Sequence, residues 1–228
     1  MQFWDSLILE TEKLISPFLK KEYSRDTPWY DAGQPQMIMR RDAAFELEGV
    51  GFNLVTSAEV SDGIVVVGDE LAQIKKGRRF ARIAIVQIED IGDEQKEYNL
   101  IKKLEYVKYH CFPDGYMMRS TSRSHKESVR ISKQALIGGV DFCKIGSLLI
   151  EKYRMIPSVK AVKILFITAD SVNYNDIEKI AEKNYAITET LNHVMNNLVF
   201  DCNTCNLKRI CDEVEGIRKL HFNKVPAH

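Results

Sequence analysis

The stretch 43–88 most constrains the fold, because short apolar runs alternate there with turn signals. The apolar or alternating runs lie at 45–47, 51–57, 64–67 and 79–88. Turn-type residues at 61–63 and 76–77 separate them. Short strands with turns between them are typical of an antiparallel sheet, so we expect one to begin here.

Helical periodicity replaces the strand pattern further along the chain. Apolar residues recur at helical spacing in 93–111, 143–155, 173–185 and 188–199. Strand patterns return at 116–119 and 128–131, on either side of a polar loop, and most strongly at 159–168. Ser132 is placed to cap a short helix that stops at Gly138 and Gly139. This mixture predicts an α+β fold with a mixed, mainly antiparallel sheet and packed helices.

The two ends of the chain differ from this middle part. Residues 1–20 place apolar side chains on one helical face, which predicts either a core-packing helix or a docking helix for a protein partner or homodimer. Residues 24–42 are rich in turn formers and predict a linker. We therefore expect three parts, namely an N-terminal helix and linker (1–42), an α+β domain (43–200) and a helical, Cys-rich segment (201–228).

Charge and hydropathy argue against several partners. Lys+Arg and Asp+Glu both number 32, so no global field favours nucleic acid or an acidic membrane surface. The longest apolar runs are much shorter than the roughly 18 residues of a membrane helix. The N-terminus has no basic region before an apolar one, so it is not a secretory signal. Five cysteines, mostly clustered, favour a reducing, cytoplasmic location.

The segment 201–221 contains the spacing Cys202-x2-Cys205-x5-Cys211. Two thiols separated by two residues chelate one metal from a single tight loop, and a third closes most of a coordination shell. His221 is our first candidate for the fourth ligand. These residue types suit either an iron–sulfur cluster or structural zinc.

Other readings of the cysteines stay open from sequence alone. The fourth ligand could instead come from Cys111 or Cys143, folded in from elsewhere. The three clustered thiols could also be plain structural cysteines, or Cys202 and Cys205 could form a redox pair. At Cys143, at a predicted helix start, we prefer a small buried side chain over a reactive thiolate.

A basic stretch at 119–133 is the second candidate site. Five cations stand there against one acid, Glu127, and hydroxyl residues lie among them, including Ser120, Thr121, Ser122, Ser124 and Ser128. The cations are Arg119, Arg123, Lys126, Arg130 and Lys133. Guanidinium groups with hydroxyl donors suit a phosphorylated small molecule, and His125 could assist. The alternative is an ordinary solvated loop.

The chain from Phe45 onward resembles the middle region of acetyl-CoA synthase, the β-subunit family of the CO dehydrogenase/acetyl-CoA synthase complex. The resemblance is carried, in order, by AFEL at 44–47, SDGIVVVG at 61–68, RISKQA at 130–135, KIGSLL at 144–149 and VKILFITAD at 162–170. With the cysteine segment that follows, it extends over about 175 residues. The Cys202-x2-Cys205 pair falls where that family begins its A-cluster ligands.

The cysteine segment also departs from the family pattern. The family's third cysteine follows after eight residues, whereas Cys211 follows after five, and His221 stands where the fourth is expected. The Cys-Gly-Cys element that holds the distal nickel in the family has no counterpart in the 228 residues. We therefore expect no complete nickel catalytic site.

The resemblance implies a metal centre, with iron–sulfur favoured over zinc, and coenzyme A bound by Arg119, Arg123 and Arg130. It also implies a role in anaerobic one-carbon or corrinoid metabolism. Where the family has a tryptophan near its coenzyme A site, this chain has Tyr116, on which an adenine could stack. The alternative is a non-catalytic accessory module with structural zinc.

Overall fold

The computed structural model describes residues 3–121, 124–196, 205, 207–214 and 217. A single seven-stranded sheet, in the order β1-β3-β7-β4-β2-β6-β5, forms its centre. The strands are β1 (Lys20–Tyr23), β2 (Ala43–Thr56), β3 (Gly63–Val67), β4 (Arg78–Ile88), β5 (Tyr116–Ser120), β6 (Lys126–Ser132) and β7 (Val159–Ile167). The helices are α1 (Asp5–Ile15), α2 (Glu94–Tyr106), α3 (Lys133–Ile137), α4 (Phe142–Arg154), α5 (Tyr174–Met195) and α6 (Lys208–Glu213).

The sheet is mixed and mainly antiparallel, which confirms the predicted α+β class. The β1–β3, β4–β7, β2–β6 and β5–β6 pairs are antiparallel. The two parallel pairs, β2–β4 and β3–β7, lie on either side of the central β4–β7 pair. Parallel neighbours need crossover connections, so the strand order could not follow from strand patterns alone.

Three elements differ from the sequence prediction. The helix predicted for 1–20 ends at Ile15, and Lys20–Tyr23 form the edge strand β1, whose lysines suit an exposed sheet edge. The runs at 45–47 and 51–57 join in one long strand, β2. The two predicted helices of 173–199 form the single helix α5, since Tyr174–Met195 contains neither glycine nor proline.

Helices cover both faces of the sheet. On one face, α4 stacks Phe142 on Phe80 and Phe166, with ring centroids 6.1 and 4.5 Å away. On the other face, α5 and α1 pack over β2 and β4. The predicted cap is confirmed, because the Ser132 Oγ accepts a hydrogen bond of 3.0 Å from the backbone N–H of Ala135 and α3 ends before Gly138.

The N-terminal helix α1 belongs to the core. Trp4, Leu7 and Ile15 are buried, and the Trp4 indole N–H donates to the Oδ1 of Asn184 in α5 at 2.5 Å. Its apolar face is therefore covered by the rest of the chain, which favours the core-packing interpretation over partner docking. Within the described residues, the helices are all too short or too polar to cross a membrane.

Candidate functional site: a cleft between the β5–β6 hairpin and α5

A cleft of about 820 Å³ lies between the β5–β6 hairpin and helix α5. We call it the hairpin cleft. The sheet forms its floor through Gly49 and Val50 of β2, and α5 forms its outer wall through Ala181 and Tyr185. Its volume lies in the range of small-molecule sites, roughly 300–1,000 Å³. The predicted phosphate-binding stretch thus borders a concave surface.

The hairpin wall of the cleft is basic and rich in hydroxyls. Arg119 and Lys126 both line the cleft and are exposed, and the strand register places Ser128 opposite Arg119. Ser120, Thr121, Ser124 and Ser128 line the same wall. Within the described chain, neither cation has a carboxylate within ion-pair distance. The nearest polar partner of the Arg119 guanidinium is the Met37 Sδ at 3.2 Å, a weak acceptor, so most of its N–H groups remain available.

The α5 wall is acidic. Glu178 and Glu182 lie there, with Glu48 of β2 at the floor. The Arg79 guanidinium donates to Glu178 at 2.6 Å and lies 4.9 Å from the centre of the Tyr174 ring, which neutralises one carboxylate. The cleft is therefore not a uniformly basic surface. It offers donors on one side and carboxylate acceptors on the other.

The structure describes two of the three predicted arginines, Arg119 and Arg130, and gives them different surroundings. Arg119 lines the cleft, whereas Arg123 lies outside the described residues. Arg130 already has internal acceptors, because its Nη2 donates to the Glu46 carboxylate at 2.9 Å and its Nη1 to the Ile38 carbonyl at 2.8 Å. In this arrangement Arg130 ties the linker to the sheet, and Lys126 rather than Arg130 stands beside Arg119.

A buried ion pair supports the hairpin from below. Arg82 of β4 and Glu127 of β6 are both fully buried, and two hydrogen bonds of 2.9 and 2.7 Å join them. Burial alone would lower the pKa of Arg82, but the charge and hydrogen bonds of Glu127 outweigh it and raise that pKa. A side chain at Gly51 would meet the Glu127 carboxylate at 2.1 Å, so glycine leaves the space that the pair occupies.

His125 of the basic stretch and Tyr116, which precedes it, have structural surroundings that argue against the predicted ligand contacts. His125 is buried between Phe52 and Tyr185, and burial lowers its pKa to about 4, so it carries no charge for a phosphate at neutral pH. Tyr116 is only 2% exposed, which leaves no open ring face for an adenine. Burial is the reason in both cases, because the Tyr116 side chain of β5 points into the core and His125, directly before β6, packs beneath Tyr185.

The described cysteines fall into two groups. Cys111 and Cys143 are buried, and burial raises the pKa of both thiols, to about 12 for Cys111. Cys205 and Cys211 are half-exposed and lie beside and within α6. In the part of the chain that the structure covers, no group of three His, Cys, Asp or Glu side chains is placed to hold a metal. The predicted ligands Cys202 and His221 lie outside the described residues.

Sequence reasoning missed the residues that α5 and β4 contribute. Arg79, Glu178 and Glu182 are far from the basic stretch in sequence and meet it only through the sheet order. One signal for Arg82 was available, since it interrupts an otherwise apolar strand, and a charge at such a position needs a buried partner.

The fold and the cleft together define an α+β protein with a ligand-sized cavity beside its central sheet. The profile of the CdhC family, described as the CO dehydrogenase/acetyl-CoA synthase complex beta subunit, matches residues 32–172, more than half of the chain. The chain belongs to this family. The match covers β2 to β7 and the whole hairpin, and it confirms the resemblance to the middle region of the subunit. No curated protein sequence matches the chain significantly.

Proposed function

We propose that this member of the β-subunit family binds coenzyme A in the hairpin cleft, in the setting of anaerobic one-carbon or corrinoid metabolism. The observation that carries the proposal concerns Arg119 and Lys126, two cations that have no carboxylate partner within the described residues. They lie with hydroxyl groups on one wall of the cleft. Guanidinium, ammonium and hydroxyl groups are the donors that phosphate oxygens accept from. Family membership supplies the choice of coenzyme A among phosphorylated ligands.

The opposite wall suits the remaining polar groups of such a ligand. Carboxylates such as Glu48 and Glu182 accept hydrogen bonds from hydroxyl and amide N–H groups, which coenzyme A carries along its length. The apolar floor at Val50 and Ala181 would contact its methylene and methyl groups. A ligand bearing only phosphates would meet unfavourable charge at this wall, so the mixed cleft favours an extended ligand over inorganic phosphate.

The test is calorimetric titration of the intact protein with coenzyme A. The double variant Arg119→Ala/Lys126→Ala should bind about 10- to 100-fold more weakly, since a hydrogen bond to a charged group contributes about 1.5–3 kcal/mol and exposure reduces that. The matched control Arg40→Ala/Lys76→Ala removes two exposed cations outside the cleft and should bind as the parent does. Absence of measurable binding to the parent protein would overturn the proposal.

A metal centre at the C-terminal cysteines is the second candidate function. Its support is the contrast between the half-exposed thiols Cys205 and Cys211 and the buried Cys111 and Cys143. We propose that Cys202, Cys205, Cys211 and His221 hold an iron–sulfur cluster or zinc. Thiolate ligands suit both, and a bound cluster would supply redox or Lewis-acid chemistry while zinc would stabilise the fold.

Anaerobic purification followed by metal analysis tests the centre. The variant Cys205→Ser/Cys211→Ser should lose most of the bound metal, together with any visible thiolate–iron absorption. The variant Cys143→Ser is the control, because the Cys143 thiol is buried and already donates a hydrogen bond to the Ser24 carbonyl. Equal metal content in all three proteins would argue against these ligands.

The family description names a subunit of a complex, so we also propose a protein partner for this chain. The covered apolar face of α1 gives no reason to place that partner on the N-terminal helix. Co-purification of the tagged protein with other subunits of its own organism's complex tests this. A strictly monomeric protein in those lysates would contradict it.

A further inference from the structure

A second cavity, of about 470 Å³, lies between α2 and α5. We call it the tyrosine cleft. The four tyrosines in its wall are Tyr98, Tyr106, Tyr109 and Tyr185. The buried ring of His125 closes its inner end. The proposed coenzyme A site does not use this cavity, although the two clefts share Tyr185.

The hydrogen bonds around His125 determine which nitrogen carries its proton. The Trp4 indole can only donate, and it donates to the Asn184 Oδ1 at 2.5 Å. The Nδ2 of Asn184 therefore faces the Nε2 of His125, at 3.1 Å, and donates to it. A neutral imidazole that accepts at Nε2 has its proton on Nδ1. His125 is neutral because burial lowers its pKa to about 4.

The Nδ1–H of His125 is a buried donor without a partner among the described residues. A buried donor that makes no hydrogen bond destabilises the protein, so a ligand that brings an acceptor to it is favoured. The ring itself is 3% exposed and is held in an unusual backbone conformation with φ +48°. Such a conformation persists only where the surrounding structure imposes it, which is common at ligand sites.

The other groups of the tyrosine cleft narrow the ligand class. Glu105 and Glu189 supply acceptors near the rings, and Lys102 supplies a cation at the rim. The Nζ of Lys102 and of Lys108 lie 5.1 and 5.4 Å from the centres of the Tyr98 and Tyr109 rings. These cations already occupy two of the aromatic faces, which disfavours a quaternary ammonium ligand. Such a ligand would also leave the His125 donor without an acceptor.

We infer that the tyrosine cleft binds a purine base, as a free nucleotide or as the nucleotide end of coenzyme A. A purine combines a flat ring for stacking against Tyr106 and Tyr185, a ring acceptor for the His125 Nδ1–H, and N–H donors for Glu189. A phosphate on its ribose would approach Lys102. The inference goes beyond the proposed function, because it stands even if the hairpin cleft takes another ligand.

Four ligands separate the possible sources of the purine, with binding measured by calorimetry on the intact protein. Adenosine monophosphate carries the base alone, coenzyme A carries base and thiol arm, pantetheine carries the arm alone, and uridine monophosphate is the pyrimidine comparison. We expect adenosine monophosphate to bind several-fold more tightly than uridine monophosphate, since the larger ring stacks over more area. We expect pantetheine, which has no base, not to bind in the tyrosine cleft.

Substitutions in the wall of the tyrosine cleft test whether the purine binds there. Tyr106→Ala removes a ring that is 57% exposed, and base–aromatic stacking of about 1–3 kcal/mol predicts a loss of about 5- to 100-fold in purine affinity. Glu189→Gln should cause a smaller loss by replacing an acceptor with an amide. Tyr30→Ala is the matched control, a tyrosine that is 71% exposed and outside both clefts.

The outcomes separate this inference from the proposed function. If adenosine monophosphate does not bind, or binds equally well to the parent, Tyr106→Ala and Glu189→Gln proteins, the purine site is wrong. If coenzyme A then still depends on Arg119 and Lys126, the hairpin cleft stands alone. If adenosine monophosphate depends on Tyr106 while coenzyme A does not bind, the purine site stands and the coenzyme A proposal falls.

Discussion

Lys126 and Glu127 are neighbours on strand β6 and have opposite surroundings. Lys126 points into the hairpin cleft, is exposed and has no ion-pair partner within the described residues. Glu127 points the other way, is fully buried and accepts two hydrogen bonds from Arg82 and one of 2.8 Å from the Ser120 hydroxyl. Because side chains alternate across a strand, one residue step separates a group that can bind a ligand from a group that holds the core together.

The same contrast divides the arginines of the hairpin. Arg130 has its guanidinium engaged by Glu46 and the Ile38 carbonyl, whereas Arg119 has only a weak sulfur acceptor. Charged residues in one short stretch thus serve two purposes, and composition does not distinguish them. Their internal hydrogen bonds do, since a donor that is already satisfied gains little from a ligand.

The largest expected effect comes from breaking the buried pair. Glu127→Ala leaves the Arg82 charge buried without a partner, which should lower the free energy of unfolding by about 3–5 kcal/mol in chemical denaturation. The double variant Arg82→Met/Glu127→Leu removes both charges and should be clearly more stable than the single variant. A single variant within about 1 kcal/mol of the parent would mean that water reaches the pair.

The next effect concerns His125 and acid pH. Its folded pKa of about 4 lies below the unfolded value of about 6.5, so between these values the unfolded state binds a proton that the folded state refuses. Stability should fall as pH drops from about 6.5 to 4, by at most roughly 3 kcal/mol, and be unaffected by this group above that window.

The charged groups near His125 are Glu105, Lys108, Arg82 and Glu127, which lie in ion pairs with one another. His125→Asn tests the contribution of the imidazole, because asparagine tolerates a positive φ. This variant should lose less stability than the parent over the same pH interval, whatever its stability at pH 7. Equal acid slopes in the two proteins would assign the loss to other groups.

The smallest effect on stability separates the two described arginines. Arg130→Ala removes hydrogen bonds to Glu46 and to the Ile38 carbonyl and should cost about 1–2 kcal/mol. Arg119→Ala should stay within about 0.5 kcal/mol of the parent, as expected for an exposed side chain. The loss of coenzyme A affinity should show the opposite order, with Arg119→Ala weakening binding more than Arg130→Ala. If Arg130→Ala weakens binding more than Arg119→Ala in thermally matched samples, our assignment of the cleft is wrong.

Much of the fold could be predicted from the sequence, because local patterns reflect local physics. Strand β4, helix α4 and the Ser132 cap follow from apolar periodicity and from side-chain hydrogen bonding to a helix N-terminus. The family also followed from the order of short motifs along 44–170. The basic stretch of the phosphate-binding hypothesis lies in and around the β5–β6 hairpin, and residues of this hairpin line a cavity.

The tertiary structure alone decided which side each polar residue faces and what it meets there. Glu178 and Glu182 reach the hairpin because α5 crosses the sheet over β2. In sequence, these two acids lie roughly fifty positions after the hairpin residues that they face. His125 became a buried donor because Trp4, from the far end of the chain, fixes the amide of Asn184. The sequence by itself determined the fold class, the family and the basic stretch, since these depend on local composition and order. Strand register and long-range packing determined the two clefts, and neither leaves a local pattern in the sequence.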